Sequence, residues 1–169
     1  MLLNDMIEAI RKFIKDELAF DINYIWRGQQ NKITPPKYDV DFIILTPLYK
    51  SSLTAIVDYQ YDESDQKSTF TDLKSTTIQI DIYGQNAFNN ADKLNMLFKI
   101  KANEYFNDNS YSCSVGHCSE QINMAEVLEQ SYLNRQMMKL ELFDNTVIIS
   151  DDGYIDSINA DLIFANVQK

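Results

Sequence analysis

Thr76-Thr77-Ile78-Gln79-Ile80-Asp81-Ile82-Tyr83 alternates strictly, with Ile78, Ile80 and Ile82 on one side and Gln79, Asp81 and Tyr83 on the other. That two-residue period is the mark of a strand buried on one face. Gly84 ends it. From Asn86 the period lengthens, and Phe88, Ala91, Leu94, Phe98, Ala102 and Tyr105 recur at three- and four-residue spacing. This is the stripe of a helix packed by one side, over about residues 86–107, with Asn86 able to cap its first turn. A strand burying isoleucines that runs straight into such a helix most simply folds the helix back across its own sheet. The pair is expected to form the core.

Upstream, Leu3, Met6, Ile7, Ile10, Phe13, Ile14 and Leu18 make the apolar face of a first helix over about residues 4–18, with Asn4 as its cap. Periodicity does not say whether that face fills its own domain or a neighbouring subunit. Residues 22–26 read as a short strand, and Pro35-Pro36 marks residues 28–38 as loop. Trp26 and Arg27 stand where strand meets loop. They are either a rim aromatic with a solvated ion-pair partner or an interface anchor, Trp and Arg being the residues most enriched at binding hot spots. Residues 40–47 read as a buried strand and 53–61 as its antiparallel partner. The run Asp62-Glu63-Ser64-Asp65-Gln66-Lys67-Ser68 has no apolar member and reads as a hairpin tip.

After the long helix, Tyr111, Cys113 and Val115 alternate in a strand over 110–118. Residues 135–143 alternate Met138, Leu140 and Leu142 against Lys139, Glu141 and Phe143. A loop over 144–153, ending in Asp151-Asp152-Gly153, then leads to a last strand carrying Ile158, Ala160, Leu162 and Phe164. The sum is two helices and six or seven strands, joined mostly by turns. The fold class is therefore α+β, with a mainly antiparallel sheet in one domain spanning residues 1–169. Ile43, Leu45, Tyr83 and Phe143 are candidates for an exposed apolar row on the sheet face away from the helices.

Composition narrows the function. Twenty-five acids against 15 bases give a net charge of −10, which disfavours a general grip on nucleic acid. Met1-Leu2-Leu3-Asn4-Asp5 turns polar at once, unlike a signal peptide, and no apolar run is long enough to span a bilayer. A soluble product made in the cytoplasm is expected. Cys113, His117 and Cys118 tempt a metal reading, but structural zinc wants four ligands and the chain has one histidine and two cysteines. A disulfide between them would need a turn at Gly116, and reduced thiols are the default in a cytoplasmic chain. Glu120, Glu126 and Glu129 have no nucleophile or histidine set beside them by any motif and read as a solvated face. With four glycines there is no phosphate-cradling loop, so no catalytic residue, metal or cofactor is assigned. Ten tyrosines and nine phenylalanines suit packing and contacts.

The segment IQIDIYGQNAFNNADKL, residues 78–94, resembles the central signature of the phage neck terminator family, in which a strand of alternating hydrophobic, Gln, Asp and Tyr-Gly positions leads into a helix. IWRGQQNKITPP, residues 25–36, is similar to the family's segment after its first helix, and SYLNRQMMKLELF, residues 131–143, to a late strand entered through an Arg. The matches follow the family's order through most of the chain. They also favour extended structure over 121–133, despite the helical propensity of Ala125 to Glu129. The resemblance implies a structural virion protein in a closed ring, most simply a hexamer, at the head-to-tail junction, contacting connector and tail proteins and letting double-stranded DNA pass. Interface candidates are Trp26, Arg27, Asp62, Glu63 and Asp65 of the acidic tip, and Arg135. The alternative is a stand-alone adaptor domain that binds a protein or peptide through a sheet edge.

Overall fold

The computed structural model describes residues 3–29, 40–53, 58–62, 64, 67–128 and 131–151. Among them, helices α1 (Leu3–Leu18), α2 (Ala87–Ile100) and α3 (Ala102–Asp108) lie with nine strands: β1 (Ile25–Arg27), β2 (Phe42–Ser52), β3 (Asp58–Asp62), β4 (Lys67–Tyr83), β5 (Ser114–Cys118), β6 (Ile122–Asn123), β7 (Glu126–Leu128), β8 (Ser131–Leu133) and β9 (Arg135–Asp151). Seven strands form one sheet in the order β1-β2-β4-β9-β5, with β3 beside β4 and β6 beside β9, while β7 and β8 make a separate hairpin. The α+β class holds. Its sheet is mainly antiparallel, with β1 joining β2 in parallel.

The isoleucine strand lies at the centre. Ile78, Ile80 and Ile82 of β4 are fully buried with Met138, Leu140 and Leu142 of β9, and α1, α2 and α3 close over them through Ile10, Phe13, Leu94, Phe98 and Phe106. Phe13 is the pivot of the helical layer, stacking on Phe98 at 5.1 Å and meeting the edges of Tyr105 and Phe106 at 5.2 and 5.8 Å. The α1 face is thus filled by its own chain. Burial of a phenylalanine in such a cluster stabilises by about 2–3 kcal/mol, before the aromatic geometry adds to it.

Several boundaries differ from expectation for identifiable reasons. The long helix is two, broken at Lys101, whose backbone leaves the helical region while its N–H still reaches Leu97 O at 2.9 Å. Asn86 occupies the N-cap of α2 without capping through its side chain. Asp41 does that work instead, its carboxylate accepting the Asn86 N–H at 3.1 Å and the Asn86 amide at 2.8 Å. Asn4 lies inside α1, not before it, and accepts from Arg27. Residues 22–24 form a turn of 3-10 helix rather than strand.

The partner of β2 is not 53–61 but β4, paired from Phe42↔Tyr83 to Ser52↔Lys74 with a bulge between Pro47 and Tyr49. Proline is tolerated there because β1 pairs β2 only over Ile43 to Leu45, so no ladder bond is lost. Segment 144–151 is not loop: β9 continues through it, paired with β4 without interruption from Arg135↔Tyr83 to Asp151↔Lys67. The Pro35-Pro36 loop and the last strand at 158–164 lie outside the described residues.

Candidate functional site

The alternating signature builds a polar and aromatic row on the sheet face away from the helices. Gln79 donates to Asp81 Oδ2 at 2.7 Å, and the Arg135 guanidinium donates to Asp81 Oδ1 through Nε and Nη2, each at 3.0 Å. Arg135 also lies over the Tyr83 ring at 5.4 Å; Tyr83 stacks on Phe42 at 4.5 Å, and Phe42 on Trp26 at 5.7 Å. Two candidates far apart in sequence, Trp26 and Arg135, therefore end one continuous row across β1, β2, β4 and β9. Asp81 is only 3% exposed, so the row is an internal clasp on the strand ends as well as a surface. Trp26 is further fixed by its indole N–H, which donates to Asn23 O at 2.7 Å. Arg27, one residue on, turns to the helix side and donates to Asn4.

Another candidate, Asp62, lies at the opposite end of β4 beside Lys67, about 50 Å away at the rise of an extended strand. Of the run read as a hairpin tip, Asp62, Lys67 and Ser68 are instead paired strand residues of β3 and β4, and Asp62 accepts from the Ser64 backbone and hydroxyl at 2.9 and 2.6 Å. Glu63 and Asp65 lie outside the described residues. What the sequence did not reveal is the arm that carries the tip. β3, the first half of β4 and the second half of β9 form a three-stranded ribbon, rooted by Lys50 to Asp144 at 2.9 Å and Ser52 to Asp72 at 2.7 Å. Its apolar side chains stand in solvent, with Val147, Ile148 and Ile149 at 54%, 62% and 63% exposure and Tyr59 and Tyr61 also exposed. Among the described residues nothing pairs with β9 outside this ribbon beyond Phe143. Long apolar edges of this kind are normally covered.

The expected exposed row is corrected in part. Ile43 and Leu45 face the helices and are fully buried, while Tyr83 and Phe143 are half-buried on the other face. Phe88, placed in the packed stripe of the helix, is also corrected: with Met96 and Ile100 it is 60–62% exposed on the outer side of α2. Lys93 and Lys99 flank them.

A cleft of about 900 Å³ opens between α2 and β5–β6, lined by Phe98, Lys99, Asn103, His117, Cys118 and Glu120 among others. Glu120 is its one carboxylate. Asn103 closes the adjoining strand edge by accepting the Val115 N–H at 2.6 Å. Among the described residues no three of His, Cys, Asp and Glu gather as a metal site, and both cysteines are free thiols. Burial pushes the Cys118 thiol up from 9.0 to about 11, the reverse of what a nucleophile needs. The sign is fixed by linkage: the thiol is neutral in both states below pH 9, and between 9 and 11 only the unfolded chain ionises it. Stability is thus expected to fall across that window by about 2–3 kcal/mol on this account, and Cys118→Ala to reduce the fall in urea melts taken from pH 8 to 11, the part due to Cys113, which burial raises over the same window, remaining. A slope unchanged by the substitution would refute it.

The family model described as phage neck terminator protein matches residues 4–167. No curated protein matches the chain.

Proposed function

The chain belongs to the phage neck terminator family, whose members are structural proteins of the head-to-tail junction rather than enzymes, and from this we propose that it works as a closed ring, most simply of six copies, at the end of the tail. In that place it docks on the connector above and the tail below and leaves a passage for double-stranded DNA. One observation carries the reading. A body with a well-filled core extends an arm with apolar side chains exposed on both faces, Tyr59, Tyr61 and Ile148 on one and Val147 and Ile149 on the other. A chain that buries its core and leaves such an arm bare is built to be finished by neighbours.

Charge supports the passage. At a net of −10 the subunit repels phosphate, so DNA would slide through a lumen lined by carboxylates instead of sticking to it. The test is electron cryomicroscopy of the phage particle. Expected is a ring of this chain between connector and tail, with Asp and Glu outnumbering Lys and Arg on the inner wall. Particles lacking the chain would favour the adaptor reading, and a lumen dominated by Lys and Arg would remove the sliding argument.

A further inference from the structure

We propose that the open edge of β9 in the arm takes up one more strand, and that its occupant is residues 154–160 of the same chain. This goes beyond the ring reading and does not depend on it. The body of the sheet shows how the molecule treats its other edges. On β1, Arg11 Nε donates to Ile25 O at 2.9 Å. On β5, the Asn103 amide accepts from Val115 N–H at 2.6 Å and donates to Val115 O at 3.4 Å, and just past it Asn95 donates to Ser119 O at 2.6 Å. Side chains thus occupy both body edges, which keeps foreign strands off them. From Asn145 to Asp151, β9 has no such cover among the described residues.

The pairing of β9 fixes which of its backbone groups face out. On this side Lys139 O accepts from Ser119 N at 2.8 Å, and Asn103 holds Val115 from outside, so that Ser114 and Phe143 are the bonded pair. Backbone direction alternates along a strand, and β9 runs against β4 without a bulge. Asn145, Val147, Ile149 and Asp151 therefore turn their N–H and C=O groups to the free edge. Asp152-Gly153 follows at once. An Asp-Gly pair is the strongest short hairpin signal, and a two-residue loop needs its flanking residues to exchange both backbone bonds. Asp151 has the outward backbone that this demands. The register follows: Asp151 opposite Tyr154, Val147 opposite Ile158, and Asn145 opposite Ala160.

In that register Ile158 and Ala160 share a face with Val147 and with Leu73, which lies opposite Asn145, so the apolar set of the alternation extends an apolar row on the side of the sheet without helices. Pairing ends where it must, because the next outward residue, Phe143, is already bonded to Ser114. The chain leaving at Asp161 also has room. A cavity of about 860 Å³ opens between the start of this edge and α1, lined by Asp5, Glu8, Lys12, Tyr111, Asn145 and Val147 among others. With the β9 edge filled from within, β3, which among the described residues pairs only with β4, is left as the open edge of the arm, and the apolar faces remain for neighbours.

The test uses the full chain. Ile148 and Ser157 would form a non-hydrogen-bonded pair, the kind that brings side chains closest, so Ile148→Cys with Ser157→Cys is expected to oxidise to a disulfide within one chain. Peptide mass mapping should find it there and not in the offset control, Ile149→Cys with Ser157→Cys, whose side chains point to opposite faces. Amide exchange read by NMR is the second measurement. The Val147 and Ile149 N–H groups are expected to exchange at least about tenfold more slowly in the wild type than in Ile158→Pro, which cannot donate to Val147 O, while Ile148 N–H, directed at β4, changes less. A disulfide between chains would mean that copies exchange this strand, and overturns the same-chain occupant. Protected amides without any disulfide assign the edge to another partner and overturn it too. Val147 and Ile149 amides that exchange as fast in the wild type as in Ile158→Pro mean an open edge and overturn the proposal outright. The ring is decided separately, in the particle, and stands or falls apart from these outcomes.

Discussion

Arg135→Ala is expected to cost about 3–5 kcal/mol of folding stability, as large an effect as any single truncation on the sheet face away from the helices. The reason is what it leaves behind. Asp81 is 3% exposed near the C-terminal end of β4, and Arg135 supplies both bonds to its Oδ1, at 3.0 Å each, while Gln79 serves Oδ2. Without the guanidinium a carboxylate stays buried with one neutral donor, and desolvation is no longer offset. Lysine should rescue poorly, since an ammonium can reach one oxygen but cannot lie flat over Tyr83 as the guanidinium does at 5.4 Å. Replacing both partners, Asp81→Asn with Arg135→Met, should recover most of the loss because no charge is then stranded. Urea denaturation of the three variants decides it. A loss below about 1 kcal/mol for Arg135→Ala would mean that the pair is solvated and worth no more than a surface ion pair.

This clasp explains why the central strand was legible and its surroundings were not. The period of Ile78, Ile80 and Ile82 states directly which side is buried, and the helix stripe that follows states what covers it. Gln79, Asp81 and Tyr83 could be assigned to the other side on the same ground. Nothing local, however, says that Arg135 of a strand fifty residues on completes them, or that Trp26 joins the same row through Phe42. The hydrophobic run Phe42-Ile43-Ile44-Leu45 shows no alternation, so the face that Ile43 and Leu45 take is decided by pairing with β4 and not by their own pattern.

The arm was missed for a related reason. Asp144-Asn145 has the composition of a turn, yet Asp144 is buried at the root of the arm against Lys50, a partner 94 residues away. Tertiary pairing over a whole strand overrides the turn propensity of two residues. The break at Lys101 lacks the glycine or proline that would have signalled it, and the apolar stripe of Phe98, Ala102 and Phe106 runs through it undisturbed. Phe88 was misplaced because it sits at the margin of that stripe, where spacing alone does not separate packed from exposed.

Gly84→Ala should be the most damaging change at the hinge between β4 and α2, lowering stability by about 2–4 kcal/mol, through backbone strain of about 1–3 kcal/mol and a lost helix cap of about 1. Gly84 holds φ +112°, where a side chain is strained whatever the space around it. Space is lacking as well. A Cβ there would meet the Asp41 carboxylate and lie 2.7 Å from Asp41 Cα, so the obstacle includes backbone and cannot be cleared by a rotamer change. Moving Asp41 aside would also release the Asn86 N–H and amide that its carboxylate accepts, uncapping α2 where it leaves the sheet. Position 84 is pinned from the other direction too, its N–H donating to Asn134 O at 3.1 Å next to the Arg135 clasp. Displacement at the hinge should thus carry into the clasp. A cycle of Gly84→Ala with Asp41→Ala tests the coupling: the double variant should lose less than the sum of the two, because the cap and part of the clash are removed together. Additive losses in thermal and urea melts would mean that the glycine is needed for its backbone angle alone. A Gly84→Ala chain as stable as wild type would mean that the turn relaxes freely, and the tight passage from strand to helix would then not explain the glycine in the signature.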